Sequence, residues 1–421
     1  AAWAWRWWAS LGSPRWLCSP MVDQSERAFR ILCRRYGVDL AYTPMIQAEP
    51  FAKNPEYRRM YFDGWESVDE DRPLIAQIAG DDPAVMLEAA KLLEPHVDGV
   101  DINMGCPTED ARIGGARTLA PRCKRFGAYL LPDLELCTRL VGTLAEGLRR
   151  VPVTAKIRIL RSRSATLQLA LALEDAGAAA LCVHGRTAQQ RPKYADRLPA
   201  GLGLAANWRA IAAVREAVEI PVIANGGVET GADAARCLGA TGAAAVMSAE
   251  ALLESPDLFA GPPAAGGGGE ALADEVRRRL RLAREFIDLS EAYPSALKYA
   301  PVKPHIFKML HRLLGADQVE TRHREDAGLP LSRVQEMQLK LMHCPQRDLS
   351  AIRGALDTIE ASYEASLEPL GESWYRRWRG LAAPAAAPAQ GLRGDRSRAR
   401  DARAVASAGR GASREFAACD R

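Results

Sequence analysis

Eight short apolar runs, each followed by a stretch of helical or loop-like sequence, set the strongest limit on what this chain folds into. The runs are WLCSP (16–20), DLAYTPM (39–45), PLIAQIA (73–79), GVDINMG (99–105), PVTAKIR (152–158), AAALCVH (178–184), IPVIANG (220–226) and AAAVMS (243–248). Short apolar runs alternating with helical patterns are the mark of βα units around a parallel sheet. Intervening segments such as DPAVMLEAAKLLEP and NWRAIAAVREAV are long enough to be helical crossovers. Eight strands with seven crossovers fit a closed (β/α)8 TIM barrel better than an open sheet.

Residues 16–260 are therefore assigned to the barrel. GPPAAGGGGEALAD (261–274) reads as a linker, and 275–365 as a C-terminal helical domain whose helices are interrupted by prolines. From 381 to 421 the composition turns to Ala, Pro, Gly, Ser and Arg, which predicts a disordered tail. Its eight arginines against four acids supply the whole net charge of +4 and leave residues 1–380 balanced at 48 against 48. A nucleic-acid partner must then meet a local patch rather than the field of the whole body. No apolar run reaches the ~18 residues of a membrane span, and the opening AAWAWRWWAS carries Arg6, so neither a membrane span nor a secretory signal is expected. The expectation is a soluble monomer of the cytoplasm, with access to the nucleus. Nine cysteines without a CxxC pair and six histidines without HExxH predict neither a disulfide scaffold nor a metal site.

In a barrel of this kind the chemistry sits where strands end. Gln77, Asn103, Cys106, Lys156, Arg158, His184 and Asn225 all fall at or just past the ends of the runs. Gly105 and Pro107 set a bend that aims the Cys106 thiol into a cavity, where it can act as a general acid; the alternative is a small buried hydrophobe. Lys156 needs a partner inside a barrel, either the anionic edge of a reduced flavin or a carboxylate such as Asp101. His184 is a ligand contact or a satisfied structural histidine. Asn225, Gly226 and Gly227, with the loop opened by Ser248 and Ala249, lie where this fold binds phosphate, although a Gly-Gly pair is also an ordinary turn. With no GxxxxGK[ST] and no GxGxxG in a strand-to-helix context, a phosphate there points to FMN.

The segments SPMVDQSERAFRILCRRYG, YTPMIQAEPF, DRPLIAQIAGDDP, DGVDINMGCP, KRFGAYLL, VPVTAKIRI, LCVHGRT, IPVIANGGV and AAAVMSAE resemble the tRNA-dihydrouridine synthases, in particular the eukaryotic branch acting on positions 16 and 17. The resemblance runs from about 16 to 260, with a weaker echo in YPSALKYAPVKPHIFKMLHRLL. It implies an FMN enzyme that uses NADPH, or NADH, to reduce the C5–C6 bond of D-loop uridines in tRNA. By the same resemblance Pro20 and Met21 pack on the flavin, and Gln77 and Lys156 bind the isoalloxazine. His184 lies near the ring and phosphate, and Asn225, Gly226, Gly227, Ser248 and Ala249 hold the phosphate. Asn103 and Arg158 face the substrate, and Cys106 protonates C5 after hydride reaches C6. Basic residues of the helical segment, among them Arg277, Arg278, Arg279, Arg281, Lys298, Lys303, Lys308 and Arg312, are candidates for RNA backbone contacts or an ordinary solvated face.

One departure from the family pattern stands out. Twenty residues separate Cys106 from Gly127, where the family has about ten, so an insertion rich in Arg, Gly and Ala falls in the loop that must carry Cys106. A displacement of about 1 Å there costs roughly a hundredfold in rate. Flavin binding is expected to survive the insertion, and turnover depends on whether the loop recovers its register; Cys123 is a substitute acid if it does not. The alternatives are a catalytically impaired tRNA-binding flavoprotein and a flavin oxidoreductase acting on a small molecule.

Overall fold

Each apolar run forms a strand, and the strands close on themselves. The structure, a computed structural model, describes residues 1–113, 123–190, 204–261, 268–296, 302–315, 318–365, 370, 371 and 373. In chain order the strands are β1 (Trp16–Cys18), β2 (Leu40–Tyr42), β3 (Ile46–Gln47), β4 (Leu74–Ala79), β5 (Gly99–Met104), β6 (Val153–Arg158), β7 (Leu181–His184), β8 (Val222–Asn225) and β9 (Ala245–Ser248). All pair in parallel, with β1 against β9 and β2 against β4 completing the ring. The second stave continues past its run: β2 pairs with Leu74 and Ile75, and β3, just beyond residue 45, with Ile78 and Ala79. Both pieces thus serve as one stave of an eight-stave barrel, the expected (β/α)8 fold.

The period of two along each strand sorts its side chains. Outward residues such as Leu74, Ala76 and Ile78, or Val100, Ile102 and Met104, enter the large core beneath the surrounding helices. Inward residues change character from bottom to top: Ile75 then Gln77, Asp101 then Asn103, Thr154 then Lys156 and Arg158, Cys182 then His184, Ile223 then Asn225. The lower interior is a hydrophobic plug of Leu17, Leu40, Tyr42, Ile75, Cys182, Ile223 and Met247. The upper interior is polar.

The tryptophan-rich opening forms the helix Ala2–Ser10, a role not assigned to it from sequence. Trp8, 3% exposed, joins the interior plug, while Trp7 Nε1 donates to Asp98 O at 3.0 Å and Trp5 Nε1 to Glu219 O at 2.7 Å. The helix therefore stoppers the barrel at the end opposite the chemistry. No helix among the described residues is long and apolar enough to cross a membrane.

Beyond the barrel lie the helices Gly268–Ala292, Val302–Met309, His311–Leu314, Gln318–Asp326, Arg333–His343 and Leu349–Ala365. The first begins inside the stretch read as linker, because the Glu, Ala and Leu of EALA (270–273) are good helix formers and let the helix grow back to Gly268. Pro304 is tolerated in the first turn of its helix, where its missing N–H leaves no bond unmade. This layer docks on the helix Arg27–Arg35, with Phe29 stacked on His305 at 4.5 Å and edge-on to Phe286 at 6.3 Å. Tyr36 donates to Glu285 at 2.8 Å. The tail at 381–421 lies outside the described residues.

Candidate functional site

A cavity of about 620 Å3 opens at the carboxyl ends of the strands, within the range of small-molecule sites. Its wall brings together Pro20, Gln77, Asn103, Cys106, Lys156, Arg158, His184, Asn225, Gly226, Ser248 and Ala249. Two of the residues read from sequence are elsewhere. Met21, half-buried, packs against the edge of the core, its N–H bonded to Ser25 Oγ, and Val22, 54% exposed, takes the wall position instead. Gly227, at φ +80°, turns toward the indole of Trp208 rather than into the cavity. The wall also holds Met45, Arg186, Gln190, Met247 and Glu250, which were not singled out. Arg186 stands in the VHGRT motif itself, and Met45 in YTPMIQ, so both were within reach of the pattern.

The electrostatics favour an anion. Among the described residues, three cations, Lys156, Arg158 and Arg186, line the cavity against the single carboxylate of Glu250. Lys156 Nζ donates to Asn225 Oδ1 at 3.0 Å, and Asn225 Nδ2 in turn donates to Met247 O at 2.9 Å. No direct Lys156–Asp101 ion pair forms; the Asp101 oxygens are taken by Gln77 and Thr154. Burial lowers the Lys156 pKa, with Arg158 adding to the effect. His184 is held well below the usual imidazole range by burial and then by Arg158, Lys156 and Arg186. Arg186 Nη1 lies 3.1 Å from His184 Nε2, and since a guanidinium only donates, Nε2 accepts and the neutral ring carries its proton on Nδ1.

The upper rim is shaped for a ligand with polar, anionic parts. Ser248 Oγ is buried on the wall without a partner among the described residues, a cost that an incoming acceptor or donor removes. Gly226 adopts φ +98°, and a Cβ there would lie 2.6 Å from His184 Cδ2. Only glycine lets the backbone approach that closely. These features fit the phosphate end of a mononucleotide, and the Gln77–Lys156 region fits its polar ring edge.

Cys106 is half-buried on the wall, its Sγ 3.2 Å from Thr108 Oγ1. The bend beneath it is held on both sides: Asn103 Oδ1 accepts from the N–H groups of Gly105 (3.1 Å) and Cys106 (3.0 Å), while Arg158 Nε donates to Gly105 O at 2.7 Å. The long insertion is tied off below this point. Phe126 N donates to Ala111 O and Ala128 N to Cys106 O, both at 2.9 Å, so the chain leaves after a single turn of helix (Glu109–Arg112) and returns directly under Cys106. Gly127 fits at φ +64° because a Cβ would sit 2.4 Å from Cys106 O. Residues 114–122 of the insertion lie outside the described residues. Cys123 faces a second, smaller cavity with Glu49, Asp81 and Phe126, and burial, with Asp81, pushes its thiol up to about 12.

Most of the basic residues considered for RNA contact are engaged internally. Arg278 pairs with Asp257 and Glu275, and Arg279, 3% exposed, bonds Glu275 and Met309 O. Lys303 donates to Met342 O and Cys344 O, and Lys308 to Gln24 Oε1. Arg277 and Arg281 are the exposed members of the set, and Lys298 lies outside the described residues.

A parallel barrel with its polar, cation-lined cavity at the strand ends, and a thiol on the wall, defines the class: a (β/α)8 protein built to bind an anionic cofactor or substrate over a reactive group. The family model described as "Dihydrouridine synthase (Dus)" matches residues 17–339, and the chain belongs to that family. It is 39% identical over 322 residues to a rat protein named tRNA-dihydrouridine(16/17) synthase NAD(P)(+)-like, covering 76% of this chain and 64% of the relative. A Saccharomyces cerevisiae tRNA-dihydrouridine(16/17) synthase is 38% identical, covering 72% of this chain and 67% of its own length. The Schizosaccharomyces pombe protein of that name is 35% identical, with 72% and 71% covered. The chain thus spans less than two thirds of the rat relative.

Proposed function

We propose that this chain is an FMN-dependent tRNA-dihydrouridine synthase that reduces the C5–C6 bond of D-loop uridines, at positions 16 and 17, with NADPH or NADH as reductant. The observation that carries the reading is a cavity of the dihydrouridine synthase barrel in which three cations and the Cys106 thiol share one wall system. The names of the rat and yeast relatives support the choice of positions 16 and 17. A reduced flavin held in this cavity would supply the hydride that C6 of the uracil receives. Lys156 and Gln77 are assigned to the flavin ring, and Asn225, Gly226, Ser248 and Ala249 to its phosphate. Asn103 and Arg158 orient the uracil, and the Cys106 thiol gives its proton to C5, where negative charge develops. The uracil leaves its RNA stack to reach the cavity at a cost of a few kcal/mol, least in a loop. The enzyme is assigned to the cytoplasm and nucleus, as a monomer.

The test is incubation of the purified chain with FMN, NADPH and an unmodified tRNA transcript, followed by mass spectrometry of the nucleosides and mapping of the product. Dihydrouridine in the D-loop, with none formed from free uridine, is the expected result. Product from free uridine but not from tRNA moves the reading to a small-molecule flavin oxidoreductase. Binding of flavin and tRNA without product moves it to an impaired flavoprotein.

A further inference from the structure

We propose that Asp101 is a positioning residue: through two side-chain amides in series it sets the polarity of the hydrogen bonds that hold the Cys106 bend. The participants are brought together by strand register, in which Gln77 pairs with Asp101, Asp101 with Thr154, and Asn103 with Lys156. Asp101 is fully buried, and its two oxygens accept from Thr154 Oγ1 at 2.7 Å and from Gln77 Nε2 at 2.8 Å. Because an ionised carboxylate only accepts, Gln77 must turn its NH2 toward it. Gln77 Oε1 is then left to accept from Asn103 Nδ2 at 2.9 Å, and Asn103 Oδ1 to accept from the Gly105 and Cys106 N–H groups. The ends of the chain are chemically unambiguous, an acceptor at Asp101 and donors at the bend. Each of the two amides between them has one orientation that satisfies both ends. An amide in isolation has two orientations of similar energy, and here neither is free to flip.

Burial raises Asp101 to about 6, while the hydrogen bonds from Gln77 and Thr154 act in the opposite direction and favour the ionised form, which can only accept. A polarity-setting end must be incapable of donating.

This fixed direction makes a specific prediction for paired substitutions. Asn103→Asp places an acceptor at both ends of Gln77, so one contact becomes oxygen against oxygen. Adding Asp101→Asn supplies a donor at the far end and reverses the chain. The new amide at position 101 would donate to Gln77 Oε1, while Gln77 Nε2 and the bend N–H groups would all donate to the new carboxylate at position 103. The readout is the rate of iodoacetamide alkylation at Cys106 in the full-length chain, resolved by peptide mass spectrometry, which requires neither flavin nor RNA. Asn103→Asp alone is expected to raise the rate by about tenfold as the bend loosens, and the double variant to return it to within about threefold of wild type. Should Asn103→Asp fail to fold, recovery of a folded protein in the double is the expected outcome. A double variant that alkylates like Asn103→Asp, or stays unfolded with it, overturns the proposal, as does an Asn103→Asp rate equal to wild type. The inference shares Gln77, Asn103 and Cys106 with the proposed function, but its readout needs neither flavin nor RNA. Wild-type chain that makes no dihydrouridine while the rescue succeeds would sink the synthase reading and leave the relay standing, and the converse result would do the reverse.

Discussion

Gly127→Ala probes the contact on which the placement of Cys106 depends. The new Cβ would lie 2.4 Å from Cys106 O, 2.9 Å from Cys106 Cβ and 3.1 Å from Cys106 C, and two of these three atoms are backbone that no rotamer change can move. The residue also sits at φ +64°, where an L side chain costs about 1–2 kcal/mol. Forcing the two segments apart adds a further ~1–3 kcal/mol, as overpacking does elsewhere, for a total near 3 kcal/mol. Gly239→Ala and Gly354→Ala are matched controls. Both glycines lie within helices with nothing within 4 Å of a Cβ, so each is expected to stabilise by about 0.5–1 kcal/mol. Urea unfolding of the three variants gives the stabilities, and alkylation of Cys106 reports on the bend. A Gly127→Ala protein within about 0.5 kcal/mol of wild type, with unchanged Cys106 reactivity, would refute the claim that the insertion is tied off against Cys106.

Other expectations follow from the same geometry. Asp101 holds its proton more tightly in the fold, at about 6, than in the unfolded chain near 3.8, so wild-type stability falls by about 3 kcal/mol from this group as pH rises from roughly 4 through 6. Asp101→Asn lacks that titration, and urea melts at pH 4 and 7.5 should show the smaller difference; an unchanged pH slope would argue that Asp101 is not buried as described. Arg279→Ala breaks a buried pair with Glu275 and a bond to Met309 O and should cost about 3–5 kcal/mol, whereas Arg277→Ala, exposed and paired among the described residues with Asp274 three residues away, should cost under about 0.5. Equal losses would show that the two arginines are not so differently placed. Replacing residues 114–122 by a short Gly-Ser linker should leave Cys106 alkylation unchanged, because Phe126 N and Ala128 N close the loop at its base; a large change would mean that the insertion itself holds the thiol.

The barrel was legible because its signal is local. Eight apolar runs and the polar residues that end them are written in consecutive positions, and every run became a stave. What sequence did not carry was register. Asp101 appeared as a candidate partner for Lys156, yet pairing of β4 with β5 and β5 with β6 sets it between Gln77 and Thr154 instead, a fact that no spacing within one strand encodes. The same limit explains Met21 and Gly227, each one residue away from a wall position: a tight turn decides which of two neighbours faces the cavity. The opening helix was missed for another reason. Its tryptophans were weighed only as a membrane or export signal, while their use is to fill the open bottom of a barrel whose existence depends on residues hundreds of positions later. Likewise, the arginines of Gly268–Ala292 look like one basic face in sequence, and only packing against Asp257, Glu254 and Met309 removes Arg278 and Arg279 from it.

The central claim is that Cys106, held at the bend after β5, delivers the proton that completes reduction of a uracil in this cavity. It is tested most directly by loading the chain with FMN, reducing it chemically, and following flavin reoxidation and dihydrouridine formation in a single turnover with unmodified tRNA, wild type beside Cys106→Ala. Wild type is expected to reoxidise in step with product formation, and the variant, still binding flavin, to be slower by about 10²–10⁴-fold. Equal rates of dihydrouridine formation in the two proteins would contradict the claim.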